Sequence, residues 1–381
     1  MDRISTRVLI VGAGPAGLAT AIGLAQRGVD FVIVDALGAA QNTSRAAVVH
    51  SATLDSLRAL GVADRMIAQG IEVPFFRVRE RDAVLFETDF SVLEVPMPFA
   101  LMIPQDETEA IMTARLAELG HEVRRPVRLT GYARTAQGVR ATCDGEGGPF
   151  VVEARYIVGA DGEKSAVRDG AGIGFPGDTY GSFVLADVRM DWPIARTEVS
   201  LFFAGAGTLV VAPMSNDRYR VVAQEPNAPP EPSLGDVQRI LDERGPRGGA
   251  RVREVLWGSR FQVHHKIADR LHDGPVVLVG DAAHVHSPAG GQGMNLGLRD
   301  AAALARALGD ALGQGTDAPL AAYARERRAA AARVLRMTDR LTRVATRTGR
   351  PVRWIRNRLI SAASHVPALR RAAARTLAGF G

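Results

Sequence analysis

Apolar and polar positions divide this chain into two kinds of pattern. Residues 6–11 read as a buried strand that stops at Gly12-Ala13-Gly14-Pro15-Ala16-Gly17, where a helix is predicted to begin. Residues 29–34 form a second strand that ends at Asp35. A helix follows over about 52–60, closed by Gly61. From Pro74 the pattern alternates: Phe76-Arg77-Val78-Arg79 and Val84-Leu85-Phe86-Glu87 flank Glu80-Arg81-Asp82 as a hairpin. Pro104-Gln105-Asp106-Glu107 opens an amphipathic helix with Ile111, Leu116 and Leu119 on its apolar side and Gly120 as its stop.

Residues 121–158 read as short strands that turn at Gln137-Gly138 and at 144–148. An apolar strand at 156–160 ends in Asp161-Gly162, with Ser165 and Arg168 behind it. Such a strand end suits either a phosphate and ribityl grip or an ordinary turn. Alternation returns over 177–265, with strands expected at 183–189, 199–203, 208–212, 219–224 and 260–264. A turn at Ser215-Asn216-Asp217 and one helix, capped by Ser233 and Asp236, separate them. The stretches 74–104 and 177–265 could form one sheet. Residues 275–281 are another buried strand ending in an acid, Asp281, and a glycine-rich run to Asn295 feeds a helix that continues to Leu312. In the tail, Val334, Met337, Leu341 and Val344, then Val352, Ile355 and Leu359, mark helices expected to pack on the body or on another subunit.

The glycine spacing adds chemistry to the first pattern. Gly12 permits a tight turn, Gly14 leaves room for a pyrophosphate, and Gly17 lets the helix approach the strand. The helix N-terminus offers free N–H groups to anions, and Asp35 can accept hydrogen bonds from a ribose. The run 282–295 is a second loop of this kind, and two of them suit one long bipartite cofactor. His284 and His286 lack a carboxylate or Cys at ligand spacing, so no metal is expected.

A length of 381 residues suggests two domains with an added helical segment. The single cysteine, Cys143, excludes an internal disulfide and the dithiol flavin reductases, and a cytoplasmic setting is the default. The first 28 residues mimic a signal peptide, but Gly12, Gly14, Pro15 and Gly17 break the run, so no targeting segment is expected. No apolar stretch reaches the ~18 residues of a membrane span. The net charge of +6 is uneven: residues 320–381 hold 15 Arg, no Lys and two acids, about +13, which leaves the rest near −7. A peripheral membrane contact through these basic helices is compatible with that balance; nucleic-acid binding is not expected, because no stacking platform or RNA-binding signature accompanies the arginines.

Taken in order, Gly12-x-Gly14-x-x-Gly17, Asp161-Gly162 and Gly280-Asp281-Ala282-Ala283-His284 resemble the landmarks of the single-component FAD-dependent aromatic hydroxylases, the para-hydroxybenzoate hydroxylase group. The 288–295 run is most similar to the aromatic polyketide hydroxylases. The resemblance implies an α/β fold with a Rossmann-type FAD-binding domain (1–73, 105–176 and 266–312). A mainly antiparallel β-sheet substrate domain (74–104 and 177–265) is inserted into it, and an Arg-rich helical segment (313–381) stands where many polyketide hydroxylases add a thioredoxin-like domain.

It further implies that Gly12, Ala13, Gly14, Pro15, Ala16 and Gly17 hold the FAD pyrophosphate and that Asp35 holds the adenosine ribose. Arg45 and Gln105 would approach the flavin. Asp161 and Gly162 would serve FAD and NAD(P)H, and Asp281 the ribityl chain. Gly291, Gly293, Met294 and Asn295 would lie along the isoalloxazine, with Pro288 near oxygen transfer. The implied activity is hydroxylation of a phenolic or polyketide-like small molecule with NADPH or NADH and O₂, through a flavin C4a-hydroperoxide. No side-chain nucleophile is needed, so no catalytic residue is assigned. Phe202, Met214, Arg220, Gln224 and His264 are candidate substrate contacts. The enzyme would be a monomer or homodimer. Related monooxygenases that inactivate antibiotics or build quinones share these motifs, as do O₂-independent flavin reductases.

Overall fold

The computed structural model describes residues 2–39, 46–286, 290–345 and 350–380. In chain order the elements are β1 (Arg3–Val11), α1 (Pro15–Ala25), β2 (Phe31–Val34), β3 (Val48–Val49), α2 (Ser51–Ala59), α3 (Ala63–Gln69), β4 (Ile71–Val73), β5 (Phe75–Glu80), β6 (Ala83–Asp89), β7 (Ala100–Met102) and α4 (Gln105–Glu118). There follow β8 (Val127–Thr135), β9 (Gly138–Gly145), β10 (Gly148–Gly159), α5 (Ala166–Gly170), β11 (Gly177–Asp191), β12 (Glu198–Ala204), β13 (Gly207–Met214), β14 (Arg218–Gln224), α6 (Leu234–Arg244) and β15 (Arg251–Ile267). The last are β16 (His272–Asp273), β17 (Val276–Leu278), β18 (His284–Val285), α7 (Gln292–Gln314), α8 (Ala318–Ala345), α9 (Arg350–Ser364) and α10 (Pro367–Leu377).

A seven-stranded sheet has the order β16-β17-β10-β1-β2, with β9 and β8 added beside β10. β17, β10, β1 and β2 run parallel. Parallel neighbours need a crossover, and α1 supplies it between β1 and β2. The carboxyl ends of β1 and β10, and all of β2 and β17, are apolar because both faces are covered there: Leu9, Ile10, Ile157, Val158, Val276 and Val277 are fully buried. α1 packs against α7. The Rossmann-type reading of the first stretch therefore holds.

An eight-stranded, largely antiparallel sheet has the order β18-β15-β11-β14-β13-β12-β5-β6. It unites strands from both alternating stretches. The period of two sends Val184, Val188, Leu209, Val211 and Val221 to one face, under Val237, Ile240 and Leu241 of α6. Val199, Ala212 and Met214 face the other way, against Ala47, Val73 and Met102. A small third sheet, β3-β7-β4, bridges the two cores: Leu101 of β7 joins the first and Met102 packs with Val199, Ala212 and Met214 of the eight-stranded sheet.

Three features differ from expectation. The strand expected at 260–264 extends back to Arg251, because pairing with β11 runs almost its whole length although Arg251, Arg253 and Glu254 hide the alternation. Pairing also crosses the expected segment limits: β7 joins β3 and β4, and β18 joins β15. In α9 the apolar stripe turns outward, with Ile355 52% and Leu359 66% exposed, while Arg356 and Asn357 are buried.

Candidate cofactor cleft

Parallel strands leave their carboxyl ends on one edge, where ligands of such sheets bind. Here that edge gathers Gly12 after β1, Asp161 after β10 and Gly280 after β17, three neighbouring strands. The turn at Gly280, just before the second glycine loop, touches the first loop: a Cβ on Gly280 would lie 2.9 Å from the Cβ of Ala16, in the first turn of α1.

The first loop is built tightly. A Cβ on Gly12 would stand 2.3 Å from the Ala160 carbonyl oxygen, and one on Gly17 only 1.9 Å from that of Gly12. Gly14 is different, because a Cβ there meets nothing within 4 Å. That open space faces the start of α1, which Pro15 opens and no side chain caps. Asp35 fixes the loop: Ala13 N–H donates to its Oδ2 at 2.6 Å and Leu37 N–H to its Oδ1 at 2.8 Å. Arg125, not singled out from the sequence, donates to the Ala13 carbonyl at 3.1 Å and lies 3.9 Å from Asp35. Gln105 begins α4 and donates to Glu109 at 2.8 Å. Burial raises the Glu109 carboxyl above its ordinary range.

Asp161 uses its carboxylate locally. It accepts from Ser165 Oγ at 2.5 Å and from Val167 N–H at 3.1 Å, which holds the turn into α5. Burial outweighs these bonds and raises its pKa. Gly162 has φ +78°. Asp281 is exposed on the turn after β17.

The second loop meets a different partner. Gly291 caps α7 in the left-handed region (φ +63°), and a Cβ there would strike Val48 at 2.1 Å. Asn295 is buried and ties this N-terminus to β3: its amide donates to the carbonyls of Val48 (2.8 Å) and Gly291 (2.7 Å), and its Oδ1 accepts from His50 N–H (2.7 Å). Gly293 would place a Cβ 3.8 Å from His286, and Met294 packs on the main core. Arg45 and Pro288 lie outside the described residues.

His50, missed from the sequence, sits beside this turn with its Nδ1 buried and unpartnered. Burial lowers its pKa to about 4, so the ring is neutral. An uncapped helix end, an orphaned acceptor and the space at Gly14 are features that a bound dinucleotide would satisfy, so the residues present fit FAD. His284 is engaged through one nitrogen: its Nε2 lies 2.7 Å from Asp300, which also pairs with Arg327, while its Nδ1 is buried without a hydrogen-bond partner.

The candidate substrate contacts separate. Met214, Arg220 and Gln224 alternate onto the sheet face opposite α6. Arg220 is 4% exposed, grips Asp187 through two bonds of 2.7 and 2.8 Å, and donates to the Ala46 carbonyl at 2.9 Å. It thus pins the sheet to the segment before β3. Met214 is buried, and Gln224 is half-buried beside Gly181. Phe202 does not belong with them. It is fully buried in the core under α6, edge-on to Trp192 at 6.0 Å, because its parity in β12 sends it to the far face. His264 is grouped with the Asp161 turn instead: Thr179 Oγ1 is 2.9 Å from its Nδ1, and Glu163 is 3.7 Å from its Nε2.

The chain is similar to known proteins along most of its length. It is 36% identical over 346 residues to the 6-methylpretetramide 4-monooxygenase of Streptomyces rimosus, with 88% of this chain and 61% of that protein covered. The chain thus spans less than two thirds of that relative. It superposes on the structure of an anhydrotetracycline hydroxylase from Streptomyces rimosus with a TM-score of 0.83 at 32% identity, covering 98% of this chain and 76% of the other. A p-nitrophenol 4-monooxygenase from Pseudomonas putida shares the fold, with a TM-score of 0.89 at 24% identity over 99% and 98% of the two chains. Residues 5–338 match the family model described as FAD binding domain, and the chain belongs to that family.

Proposed function

We propose that this chain is an FAD-dependent monooxygenase that uses NAD(P)H and O₂ to hydroxylate a phenolic or polyketide-like aromatic molecule. The observation that carries the reading is the meeting, at the carboxyl edge of one parallel sheet, of the Gly12–Gly17 turn, which opens the uncapped α1, with the Gly280 turn, both packed against Gly297 of the equally uncapped α7. The FAD-binding part comprises the parallel sheet with α1, α4 and α7; the eight-stranded sheet is the substrate part. Gly12 to Gly17 receive the pyrophosphate, with Gly14 leaving it room. Asp35 takes the adenosine ribose through the lone pairs that Ala13 and Leu37 leave open. Asp281 holds the ribityl chain. Gly291 to Asn295 border the ring, and His50 Nδ1 accepts a hydrogen bond there. Asp161 and Gly162 shape the edge between the two loops, and Asp161 does so by holding its own turn.

Bound FAD supplies the electron transfer and O₂ activation that no side chain provides. The protein orients the aromatic and excludes water. Met214, Gln224 and the stacked Phe183–Phe261 pair line the substrate side, with Arg220 positioning the sheet against the cofactor part. The test is NAD(P)H oxidation by the flavin-loaded protein, stimulated by a panel of phenols and polycyclic polyketides. Stimulation with one oxygen-18 atom incorporated from O₂ per NAD(P)H supports the reading. Protein that takes up no FAD, or turnover without O₂ consumption, overturns it.

A further inference from the structure

The outer surface of α9 and α10 carries features that the cofactor cleft does not use. Five of the exposed large apolar side chains fall within sixteen residues: Trp354 (62% exposed), Ile355, Leu359 (66%), Val366 and Leu369. Trp354 and Arg358 are one helical turn apart, with the guanidinium 5.0 Å over the indole. Ile355 and Leu359 form the parallel pair beside them. Val84 of β6, the strand under α9, is also exposed.

The same surface is charged with one sign. Arg358, Arg371 and Arg375 are exposed, and no acid occurs in the chain after Asp339. Two acids under these helices are paired: Glu80 binds Arg353 and Asn357, and Glu87 binds Arg77 and faces Arg370; Glu94, after the Leu93 that packs on α10, is exposed. The inward face of α9 is held by those bonds and by Arg356 over Phe203 at 4.4 Å. The helix is therefore anchored by its polar residues and presents its apolar ones outward, the reverse of an ordinary surface helix.

We propose that this face docks on an anionic phospholipid surface. The charge argues against the simplest alternative: a two-fold contact between copies would bring together two faces of net positive charge. An apolar stripe containing Trp, bordered by cations, is the composition that settles at the boundary of headgroups and acyl chains. The arginines draw the face to the surface through long-range attraction, and Trp354, Ile355 and Leu359 enter it. The proposal does not depend on the redox reading; an apolar aromatic substrate that partitions into membranes would give the contact a use.

The experiment is co-sedimentation of the whole flavin-loaded protein with vesicles. One set is phosphatidylcholine alone; the other contains one third phosphatidylglycerol. Binding to the anionic set should exceed the neutral set by about tenfold at low salt and fall when salt is raised. A Trp354→Glu/Leu359→Glu variant should lose at least tenfold of that binding with its flavin spectrum and melting temperature unchanged. Leu234→Glu, an exposed apolar position on α6, should bind as the parent does. Quenching of tryptophan emission by brominated acyl chains should vanish in Trp354→Phe. Absence of vesicle binding, binding equal in the double variant, or self-association lost in the double variant would each overturn the proposal, the last by assigning the face to a second copy.

Discussion

Two glycines of the first loop should respond in opposite ways to the same added methyl. At Gly17 a Cβ would lie 1.9 Å from the Gly12 carbonyl oxygen and 3.3 Å from the Ala160 Cβ. Ordinary contact begins near 3.4 Å, so α1 would have to move about 1.5 Å from the strand ends, and the obstacle is backbone that cannot rotate aside. Overpacking of this kind costs about 3 kcal/mol or more. At the roughly 2 °C per kcal/mol of a large domain, Gly17→Ala should lower the melting temperature of the flavin-free protein by about 6 °C or more. At Gly14 the same methyl meets open space at a φ of −72°, which any residue adopts. Gly14→Ala should leave the flavin-free protein's melting temperature within about 1 °C. Yet the methyl occupies the space assigned to the pyrophosphate, and FAD affinity, read by quenching of flavin fluorescence, should fall at least tenfold, about 1.4 kcal/mol. Equal thermal losses in the two variants would refute the geometry of the loop. Parent-like FAD affinity in Gly14→Ala would refute the placement of the phosphate.

Other outcomes follow from buried polar groups. Arg220→Ala should destabilise the protein by about 3–5 kcal/mol in urea unfolding, because Asp187 then keeps a mostly buried charge without its partner; Arg220→Met with Asp187→Leu should recover much of the loss. His50 is held neutral with a pKa near 4, below its unfolded value near 6.5, so the unfolded chain binds the extra proton first. Stability owed to His50 is therefore complete above about pH 6.5 and declines as pH falls toward 4, by about 3 kcal/mol in all. His50→Gln should flatten that part of the stability profile, and an unchanged slope would contradict the burial. Cys143 is buried, and desolvation pushes its thiol up to about 11, so the folded protein should resist iodoacetamide at pH 8 and react only once unfolded.

The local order of residues determined the elements wherever a period or a stop signal was strong. The apolar strand before Gly12, the hairpin around Arg81, the helix closed by Gly120, and the cap of Ser233 and Asp236 were all legible, and the last is a complete capping box. So was the suitability of two glycine loops for one cofactor, because glycine is demanded by backbone approach and leaves its mark in the sequence. What tertiary structure alone decided was partnership. Arg220 read as a candidate ligand contact until Asp187, thirty-three residues away, claimed it. Phe202 and Met214 were indistinguishable by type, and only strand parity within the assembled sheet sent one to the core under α6 and the other to the opposite face. His50 carried no motif at all; its nitrogen is orphaned only in the folded chain, where the start of α7 and the C-terminal Gly379 lie against it. Periodicity is a property of neighbours along the chain. Burial and pairing depend on residues that the sequence keeps tens to hundreds of positions apart.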